Sequence, residues 1–375
     1  MHSVSILERY GLMPRSGLNY LFKSDKNKMK EVRDVSELCV AIVVPVFNVQ
    51  RYLLNCLESI NKQTFRNFTV FAINDLSTDN SGFILDEYAK THPWLRVVYK
   101  DRLGVNKGVS STRNMALDLI KTRASYDFIG FIDSDDEVES NYLERLVATA
   151  VRKNVDVVIC GYSLINENGD PLPIKDKKPS EKYLDRDEFV ELIFSCLRWN
   201  GVNGAGGMLW KQIFRSSLLD DVRLLDDVQA VEDELFCLKV AAKSKAFFCT
   251  PEKLYKYRVR SDSLVRRNDF LLMLVNGRKH CLNVAKGMSH RIEMIVVSKY
   301  MNTAIDAMRD MGYPIKLTLS PNCDRLISEA FDGGVVGEKT FRLYKMYCLS
   351  PVRFKIYLTK HYFCKKIRDL VKCRW

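Results

Sequence analysis

Short apolar runs alternate with amphipathic stretches along the first half of this 375-residue chain. The runs, rich in β-branched and aromatic residues, lie at 40–46, 68–73, 95–99, 128–131 and 156–162. Between the first two runs, Leu53, Leu57 and Ile60 recur at helical spacing. Alternating strands and helices are typical of a mostly parallel sheet with helices on both faces. We therefore predict an α/β fold, in which Pro45 ends the pairing of the first strand.

Polar residues follow the ends of several predicted strands. They are Asn48, Asp75, Gly108 and Asp135. In an open parallel sheet the ligand lies outside the carboxyl ends of the strands. Separate polar loops that meet at one edge of the sheet therefore predict a ligand site there.

The last of these loops places Asp133, Asp135 and Asp136 close together, directly after a buried run. Close carboxylates repel one another in a desolvated site, so they favour a compensating cation. Carboxylate oxygens are the ligands that Mg²⁺ and Mn²⁺ prefer, with a substrate diphosphate completing the shell. The alternative is a solvated acidic loop that caps the next helix at Ser140 or Asn141.

Two further features lie beyond residue 181, where the alternation ends. Residues 201–207 are rich in glycine but lack the lysine placement of a P-loop, which favours a lid or a close backbone approach to a ligand. Glu232, Asp233 and Glu234 open a predicted amphipathic helix. Acidic residues at the start of a helix suit the positive end of the helix dipole.

The composition limits the partners and the cellular compartment that this protein can have. The formal net charge of +12 indicates an acidic partner, which could be a nucleic acid, an anionic lipid or a phosphorylated substrate. No apolar run approaches the roughly 20 residues that span a bilayer, and residues 1–20 lack the apolar core of a secretion signal.

The eleven cysteines include no Cys-x-x-Cys pair. Neither a disulfide framework nor a structural zinc site is expected, and a reducing cytosol fits.

Several short motifs occur in a fixed order along residues 40–265. They are residues 43–48, 52–60, 63–64, 74–79, 106–114, 133–136, 210–211, 232–233 and 257–260. In this order they resemble the family 2 glycosyltransferases with the GT-A fold, and the set is far more specific than a lone Asp-x-Asp. Two positions depart from the family pattern, because Asn74 replaces an aspartate and Leu76 replaces a glycine.

The resemblance implies a nucleotide-sugar site on the first half of the domain. That site would contain Pro45, Val46, Phe47, Asn48, Asp75, Gly108, Arg113, Asp133 and Ser134. Within it, Asp75 would accept the N3–H of uracil and Arg113 would brace the nucleotide. Pro45 and Asn48 would line the base and the ribose.

The same resemblance assigns the metal ion and the acid–base chemistry. Asp135, with Asp133, would hold Mn²⁺ or Mg²⁺ and so stabilise the leaving diphosphate. Asp233 would accept a proton from the attacking hydroxyl, whose pKa is too high for unassisted attack. Trp210 and Glu232 would lie on the acceptor side. A single base opposite the leaving group implies one in-line displacement with inversion.

The chain is predicted to have three parts. They are an N-terminal extension at 1–38, a GT-A domain at 39–265 and a helical C-terminal region at 266–375. The nucleotide-sugar half of the domain spans about 39–140 and the acceptor half about 141–265. Basic and aromatic residues interleave from Lys345 to Trp375. This pattern favours attachment to an anionic membrane surface over a solvated helix packed on the domain.

Together these features predict an inverting, metal-dependent glycosyltransferase. It would move a sugar from a nucleotide sugar, most simply a UDP-sugar, to a hydroxyl of a glycan or lipid-linked saccharide in surface polysaccharide synthesis. It would work at the inner face of the cell membrane, and nucleic acid is not expected among its partners. One alternative is a nucleotidyl or phosphoglycerol transferase with the same metal cradle, which the Glu232-Asp233 motif disfavours. Another is a non-catalytic sugar-binding scaffold, which the intact Asp133, Asp135 and Asp233 disfavour.

Overall fold

The structure is a computed structural model. It describes residues 34–100, 108–123, 125–173, 181–194, 207–226, 228, 230–261, 269–312, 314, 323–334 and 337–372, with only the backbone given at 123, 323–324 and 362–372. The extension up to residue 33, the loop at 101–107 and the glycine-rich segment 201–206 lie outside the described residues. The chain divides into two compact units, 1–37 and 38–375. Every strand given below belongs to the second unit.

Ten strands form a single sheet in the described part of that unit. They are β1 (Val40–Val46), β2 (Phe68–Asn74), β3 (Leu95–Tyr99), β4 (Phe128–Phe131), β5 (Glu137–Val138), β6 (Val157–Ile165), β7 (Pro171–Leu172), β8 (Lys182–Leu184), β9 (Gln212–Arg215) and β10 (Phe247–Arg258). The main order is β3-β2-β1-β4-β9-β6-β10-β5, with β7 beside β6 and β8 beside β10.

Parallel pairing builds the half of the sheet that carries the polar loops. β1 lies between β2 and β4, and β2 pairs with β3, all in the parallel direction. β9 then enters between β4 and β6 in the antiparallel direction. The predicted α/β fold is confirmed, with a parallel nucleotide half inside a mixed sheet. Because the carboxyl ends of β1, β2 and β4 lie side by side, the loops that follow them open at one edge.

The prediction that Pro45 ends the pairing of β1 was wrong. Pro45 lies opposite Ile73 and Val46 lies opposite Asn74, so the ladder with β2 continues to the end of the strand. On the other side, the register with β4 ends at Val43. Proline lacks the backbone N–H donor, and each donor bonds to only one neighbouring strand. The pairing of β1 with β2 can therefore continue past Pro45.

Helices cover the sheet and continue beyond it. In the described residues they are α1 (Gln50–Asn61), α2 (Ser81–Ala89), α3 (Gly108–Arg123), α4 (Tyr142–Lys153), α5 (Arg186–Phe194), α6 (Glu232–Lys243), α7 (Phe270–Ala285), α8 (His290–Met311), α9 (Cys323–Asp332), α10 (Glu338–Leu349) and α11 (Pro351–Lys372). The helical spacing in α1 is confirmed, since Leu53, Leu57 and Ile60 are all buried.

Aromatic side chains fix α6 against the sheet. Phe131 of β4 packs edge to face on Phe214 of β9 and on Phe236 of α6, with ring centroids 6.0 and 5.8 Å apart. Each such pair adds about 0.5–1.5 kcal/mol beyond the area that it buries. The acidic turn begins directly after β4, and the first turn of α6 precedes Phe236. This packing therefore holds both acidic segments in fixed positions.

The helical C-terminal region is confirmed. Cys281 of α7 and Val296 of α8 are buried in the same apolar core as the sheet. Tyr300, Tyr344 and Phe354 form a second core between α8, α10 and α11. A domain boundary at 265/266 stays a prediction, since residues 38–375 form one compact unit. Among the described residues, every helix is too short or too polar to cross a bilayer.

Candidate active site

Reciprocal hydrogen bonds join the loops that follow β1 and β2. The N–H of Thr78 donates to Asn48 Oδ1 (2.8 Å), and the N–H of Asn48 donates to Ser77 Oγ (3.1 Å). Asn48 and Leu76 have φ angles of 49° and 60°. Such left-handed conformations cost a residue with a Cβ on the order of 1 kcal/mol. The family that this sequence resembles has a glycine at this position, where this chain has Leu76. The backbone of the loop is therefore strained at Leu76.

The predicted nucleotide-binding residues at the end of β1 differ in exposure. Val46 is buried and Pro45 half-buried, whereas the Phe47 ring is 50% exposed. The N–H of Asp75 donates to the Val46 carbonyl (2.8 Å), so Phe47 and Asp75 leave adjacent strand ends side by side. This arrangement suits a ligand ring against Phe47 and a polar ring edge beside Asp75.

The Asp75 carboxylate lies in a buried ion pair. Lys100 Nζ donates to Asp75 Oδ1 (2.8 Å) and to Ser111 Oγ (2.6 Å). The N–H of Lys100 also donates to the Asn74 carbonyl (3.1 Å), which places the lysine beside the end of β2. Sequence reasoning missed Lys100, because a lone lysine after a strand belongs to no motif.

Asp136 anchors the acidic turn from within the core. Its carboxylate accepts the Arg258 N–H (2.7 Å) and the Tyr255 hydroxyl (2.8 Å), both from β10. Burial, followed by the nearby Asp135, raises the pKa of Asp136 well above its ordinary value. The alternative of a solvated capping loop does not fit, because Asp136 is 1% exposed and Asn141 makes no side-chain capping bond to α4.

A buried guanidinium supports the same turn. Arg258 Nε donates to the Asp135 carbonyl (2.7 Å), and Nη2 donates to Glu137 Oε1 (2.5 Å). Its Nη1 donates to the carbonyls of Asn166 (3.0 Å) and Glu167 (3.3 Å). Arg258 lies in the motif at 257–260. The sequence of that motif does not reveal that the Arg258 side chain donates to backbone carbonyls.

Asp133 and Asp135 each use one oxygen to pair with an arginine. Asp133 Oδ1 accepts from Arg113 (2.9 Å), and Asp135 Oδ2 accepts from Arg260 (2.8 Å). Burial raises the pKa of both carboxyls, and the paired arginine opposes the rise in each. The second oxygen of each carboxylate has no hydrogen-bond partner among the described residues.

These open oxygens fit a hard divalent cation. No third Asp, Glu, His or Cys joins them in the described part of the chain. Mg²⁺ is usually bound through one or two carboxylates together with substrate phosphates, so a pair of carboxylates is a sufficient protein contribution. The donor set therefore fits Mg²⁺ or Mn²⁺ bound together with a diphosphate.

Arg113 of α3 joins the acidic turn to the start of α6. Its Nη2 donates to Asp133 (2.9 Å), and its Nη1 donates to Asp233 Oδ1 (2.7 Å) and lies 3.6 Å from Glu232. Its side chain is 4% exposed. Burial, followed by Asp233, raises the pKa of Glu232 to about 7. The structure therefore brings three predicted site carboxylates together, while contact of Arg113 with the nucleotide stays a prediction.

The backbone before α6 is strained and closely packed. Val231 has a φ of 77°, which a β-branched residue rarely adopts. A Cβ on Gly277 of α7 would lie 2.3 Å from the carbonyl oxygen of Ala230, the residue before Val231, so only glycine allows this approach. Glu234 pairs with Arg278 of α7 through both oxygens (3.0 and 2.7 Å). The C-terminal helices thereby hold the turn that presents Asp233.

Trp210 is buried among aromatic rings. Its side chain is 3% exposed and stacks on Tyr255 and Tyr257, with centroids 4.3 and 5.5 Å apart. Its carbonyl accepts the Tyr142 hydroxyl (2.9 Å). Contact of Trp210 with an acceptor stays a prediction. The contacts that the structure gives Trp210 are packing and hydrogen-bonding contacts within the protein.

Two other predicted residues lie at turns near the site. Gly108 begins α3 with a φ of 77°, a conformation that glycine adopts without strain. Ser134 is 5% exposed between the two candidate metal ligands. Their contacts with a nucleotide sugar stay predictions, as does the placement of Asp135 and Asp233 on opposite sides of an anomeric carbon.

The sequence of the domain is similar to that of known proteins. Residues 41–203 match the family model described as Glycosyl transferase family 2. That segment, somewhat less than half of the chain, is similar to this family. EpsH of Bacillus subtilis (strain 168) is 31% identical over 236 residues, which cover 61% of this chain and 63% of EpsH. The minor teichoic acid biosynthesis protein GgaB of the same organism is 25% identical over 268 residues, covering 68% of this chain and 28% of GgaB.

A solved structure shares the fold of this chain. Residues 1–349 of TarS from S. aureus, in complex with UDP-GlcNAc, superpose with a TM-score of 0.61. The match covers 88% of this chain and 92% of the TarS chain, at 19% identity. At that identity the likeness shows the fold, and the predicted GT-A fold is confirmed.

Proposed function

We propose that this chain is an inverting glycosyltransferase that uses a nucleotide-sugar donor and a hydroxyl acceptor. The observation that carries the proposal is the cluster around Arg113, where Asp133 of the acidic turn and Asp233 of α6 bind one guanidinium. The cradle for the leaving diphosphate and the base for the attacking hydroxyl are then separated by one side chain. Such proximity is what a displacement at an anomeric carbon requires.

The donor would lie across the carboxyl ends of β1 and β2. Phe47 offers an exposed ring for stacking the base, and Asp75 offers a carboxylate beside it. The diphosphate would approach the N-terminus of α3 at Gly108, where backbone N–H groups and the helix dipole favour anions. TarS, which shares the fold, has a crystal structure with UDP-GlcNAc, which supports a UDP-sugar as the donor class.

The open oxygens of Asp133 and Asp135 would hold Mn²⁺ or Mg²⁺. The ion, when bound, would neutralise charge on the leaving diphosphate. Arg113 and Arg260 keep the other oxygens in place, so both carboxylates are oriented before any ligand arrives.

Asp233 would accept the proton of the acceptor hydroxyl. Among the described residues, its Oδ2 receives only a 3.3 Å hydrogen bond, from the Leu209 N–H. Burial raises the pKa of Asp233, although Arg113 opposes the rise. A carboxylate with a raised pKa is a better base near neutral pH. With the base on one face of the sugar and the diphosphate on the other, one displacement inverts the anomeric centre.

A donor-hydrolysis assay tests the reaction class. The full chain would be incubated with Mn²⁺ and a panel of UDP-, GDP- and CDP-sugars, and the released nucleotide would be identified by chromatography. Release of a nucleoside diphosphate supports glycosyl transfer, whereas release of a nucleoside monophosphate shows cleavage within the diphosphate, as expected for a nucleotidyl or phosphoglycerol transferase. Binding of donor without turnover, in the presence of saccharide acceptors, would favour a non-catalytic scaffold.

Replacing Asp135 tests the metal site. Asp135→Ala should abolish metal-dependent binding of UDP and leave the melting temperature of the ligand-free protein within a few degrees. The substitution removes a carboxylate that repels Asp133, and the lost pair with Arg260 is partly exposed and contributes only about 0–1 kcal/mol. Calorimetric titration of UDP with and without Mn²⁺ measures the effect, with the exposed Glu87→Ala as the control. A large fall in the melting temperature would instead identify Asp135 as a structural residue.

We propose a cell-surface glycan or lipid-linked saccharide as the acceptor. GgaB, a relative, is named for teichoic acid biosynthesis, which supports a surface-polymer pathway. A saccharide hydroxyl is also the type of nucleophile that needs a carboxylate base.

We propose that α10 and α11 attach the protein to the inner face of an anionic membrane. Leu349, at the end of α10, and Val352 and Ile356 of α11 are 79, 72 and 63% exposed. Val352 and Ile356 are four residues apart and therefore lie on one face of α11. Exposed basic residues surround them: Arg353, Lys355 and Lys360. Phe354, an aromatic of the same basic segment, is buried in the second core and is not available to lipid.

Point substitutions test this surface without removing α11, which contributes to the second core. Val352→Ser with Ile356→Ser should lower the affinity for anionic liposomes at least about tenfold, since each apolar side chain contributes on the order of 1.5 kcal/mol when buried. Sedimentation with anionic and neutral vesicles measures binding, and Phe83→Ser, which changes another exposed apolar residue, is the control. Hydrolysis of donor should be unchanged. If the wild-type protein ignores anionic vesicles, the proposed attachment is wrong.

A further inference from the structure

The first turn of α6 lacks the usual means of fixing the start of a helix. Val231, which precedes the helix, is in a left-handed conformation and makes no side-chain capping bond to the first N–H groups. Glu232, Asp233 and Glu234 place three carboxylates at consecutive positions, where like charges repel one another. Groups outside α6 must therefore hold this turn in place.

Two arginines hold the turn from different sides. Arg113 of α3 binds Asp233. Arg278 of α7 binds both oxygens of Glu234, through Nε (3.0 Å) and Nη2 (2.7 Å). Consecutive side chains of a helix point about 100° apart around its axis. The pair of Glu234 with Arg278 therefore fixes the rotation of this turn about the axis of α6, independently of the contact at Asp233.

Arg278 is itself held in place. Its side chain is 6% exposed, and its Nη1 donates to Thr303 Oγ1 of α8. The Thr303 hydroxyl donates in turn to the Lys299 carbonyl (2.8 Å). Beside Arg278, Gly277 packs so closely that a Cβ there would lie 2.3 Å from the Ala230 carbonyl oxygen, just before α6. Backbone and side chain of α7 therefore contact the same turn, which cannot shift without moving α7.

We propose that Arg278 is a positioning residue for Asp233 and acts through Glu234. The proposal rests on the proposed function, since it concerns the base of that reaction. A displacement of about 1 Å at a reacting group can cost on the order of 10²-fold in rate. The pair of Arg278 with Glu234 keeps the Asp233 carboxylate where it accepts the proton of the acceptor hydroxyl. The helices α7 and α8, which follow the last strand, therefore contribute to turnover.

Separate measurements of turnover and donor affinity test this role. Arg278→Met should lower kcat by roughly 10- to 100-fold, because the turn that carries Asp233 loses its bidentate restraint. Donor affinity should stay close to wild type, because the hydrogen-bond partners of Arg278 lie outside the proposed donor site. Release of nucleoside diphosphate from the sugar nucleotide that the wild type hydrolyses gives kcat. Calorimetric titration of that nucleoside diphosphate with Mn²⁺ gives the affinity.

Arg145→Met is the matched control. Arg145 of α4 also binds a glutamate through both oxygens, since its Nε and Nη2 each lie 2.7 Å from an oxygen of Glu252. Loss of this pair should lower the free energy of unfolding and leave kcat unchanged. A purely structural role of Arg278 predicts the same outcome for Arg278→Met, so an unchanged kcat in that variant would overturn the proposal.

A second variant keeps the test open if Arg278→Met fails to fold. Removing one partner of a buried ion pair leaves an unpaired charge, which is strongly destabilising. Glu234→Met with Arg278→Met removes both charges, a change that is often neutral for stability, and it should show the same fall in kcat. Wild-type kcat in this double variant would overturn the role of Arg278, as would a loss of donor affinity as large as the loss of turnover. If the wild type hydrolyses no sugar nucleotide of the panel, the proposed function itself fails.

Discussion

Asp233→Asn is expected to lower turnover by roughly 10²–10⁴ while leaving the affinity for the donor nearly unchanged. The asparagine keeps the shape of the side chain, and its carbonyl oxygen can still accept from Arg113, which lies 2.7 Å from Asp233 Oδ1. It cannot accept a proton from the acceptor hydroxyl. Binding would therefore survive, and only the step that needs a base would slow.

The measurement separates binding from chemistry. Donor affinity comes from titration of UDP with Mn²⁺, and turnover comes from release of UDP at saturating donor. An Asp233→Asn variant that binds donor weakly but turns over the bound donor at the normal rate would reject the role of Asp233 as base. Such a result would instead assign Asp233 to the donor cradle, through its link to Asp133 across Arg113.

The neighbouring Glu232→Gln is the matched control. Burial and the charge of Asp233 raise the pKa of Glu232 to about 7, so this carboxyl holds its proton in the folded protein at pH 6. Glutamine resembles the protonated form, and turnover at pH 6 should stay close to wild type. If Glu232→Gln is as slow as Asp233→Asn at pH 6, the two carboxyls share the base function.

The strands of the nucleotide half could be predicted because their signal is local. Buried strands are indicated by two local patterns, the β-branched run at 40–46 and the apolar run before Asp133. The polar loops at their ends then follow from the topology of a parallel sheet, because carboxyl ends of neighbouring strands meet at one edge. Asp75 and Asp133 could be chosen for the same reason, since they lie in short motifs at such ends. Asp233 lies at the start of α6 and was predicted from the family resemblance.

The contacts that hold these residues could not be predicted, because their partners are distant in the chain. Asp136 receives its hydroxyl donor from Tyr255, 119 positions away. Arg278, 44 positions beyond Glu234, lies in a helix with no motif. Gly277 looks like a weak point in that helix by propensity alone. Only the packed structure shows that the start of α6 requires a glycine there, because a Cβ would meet a backbone carbonyl at 2.3 Å.

Lys211 is the clearest case of a residue whose environment the sequence concealed. It lies in the motif at 210–211, yet its side chain is fully buried and its Nζ has no hydrogen-bond partner in the described structure. The nearby thiols of Cys160, Cys237 and Cys249 do not supply an anion, because burial raises the pKa of all three, that of Cys160 to about 12. Burial without a counter-charge lowers the pKa of Lys211 to about 8.

Lys211→Met should therefore stabilise the protein at neutral pH, by about 3 kcal/mol if the whole shift from 10.5 to about 8 is recovered. Below pH 8 the folded protein must hold a buried charge that the unfolded chain exposes to water, so wild-type folding carries the full cost. Between about pH 8 and 10.5 the unfolded chain still binds the proton that the folded protein has released, so wild-type stability should rise with pH. Above that window the cost disappears.

Urea unfolding of wild type and Lys211→Met from pH 7 to pH 10.5 measures this difference. The gap between the two free energies of unfolding should be largest near pH 7 and should close as the pH approaches 10.5. Comparing the two proteins at each pH removes the contribution of the tyrosines and thiols that titrate in the same range, because both proteins share them. Lys62→Met, at an exposed lysine, should show no such convergence. A gap that stays constant with pH would mean that methionine packs better than lysine for reasons unrelated to charge, and an unstable Lys211→Met would show that the ammonium group has a partner that stabilises it.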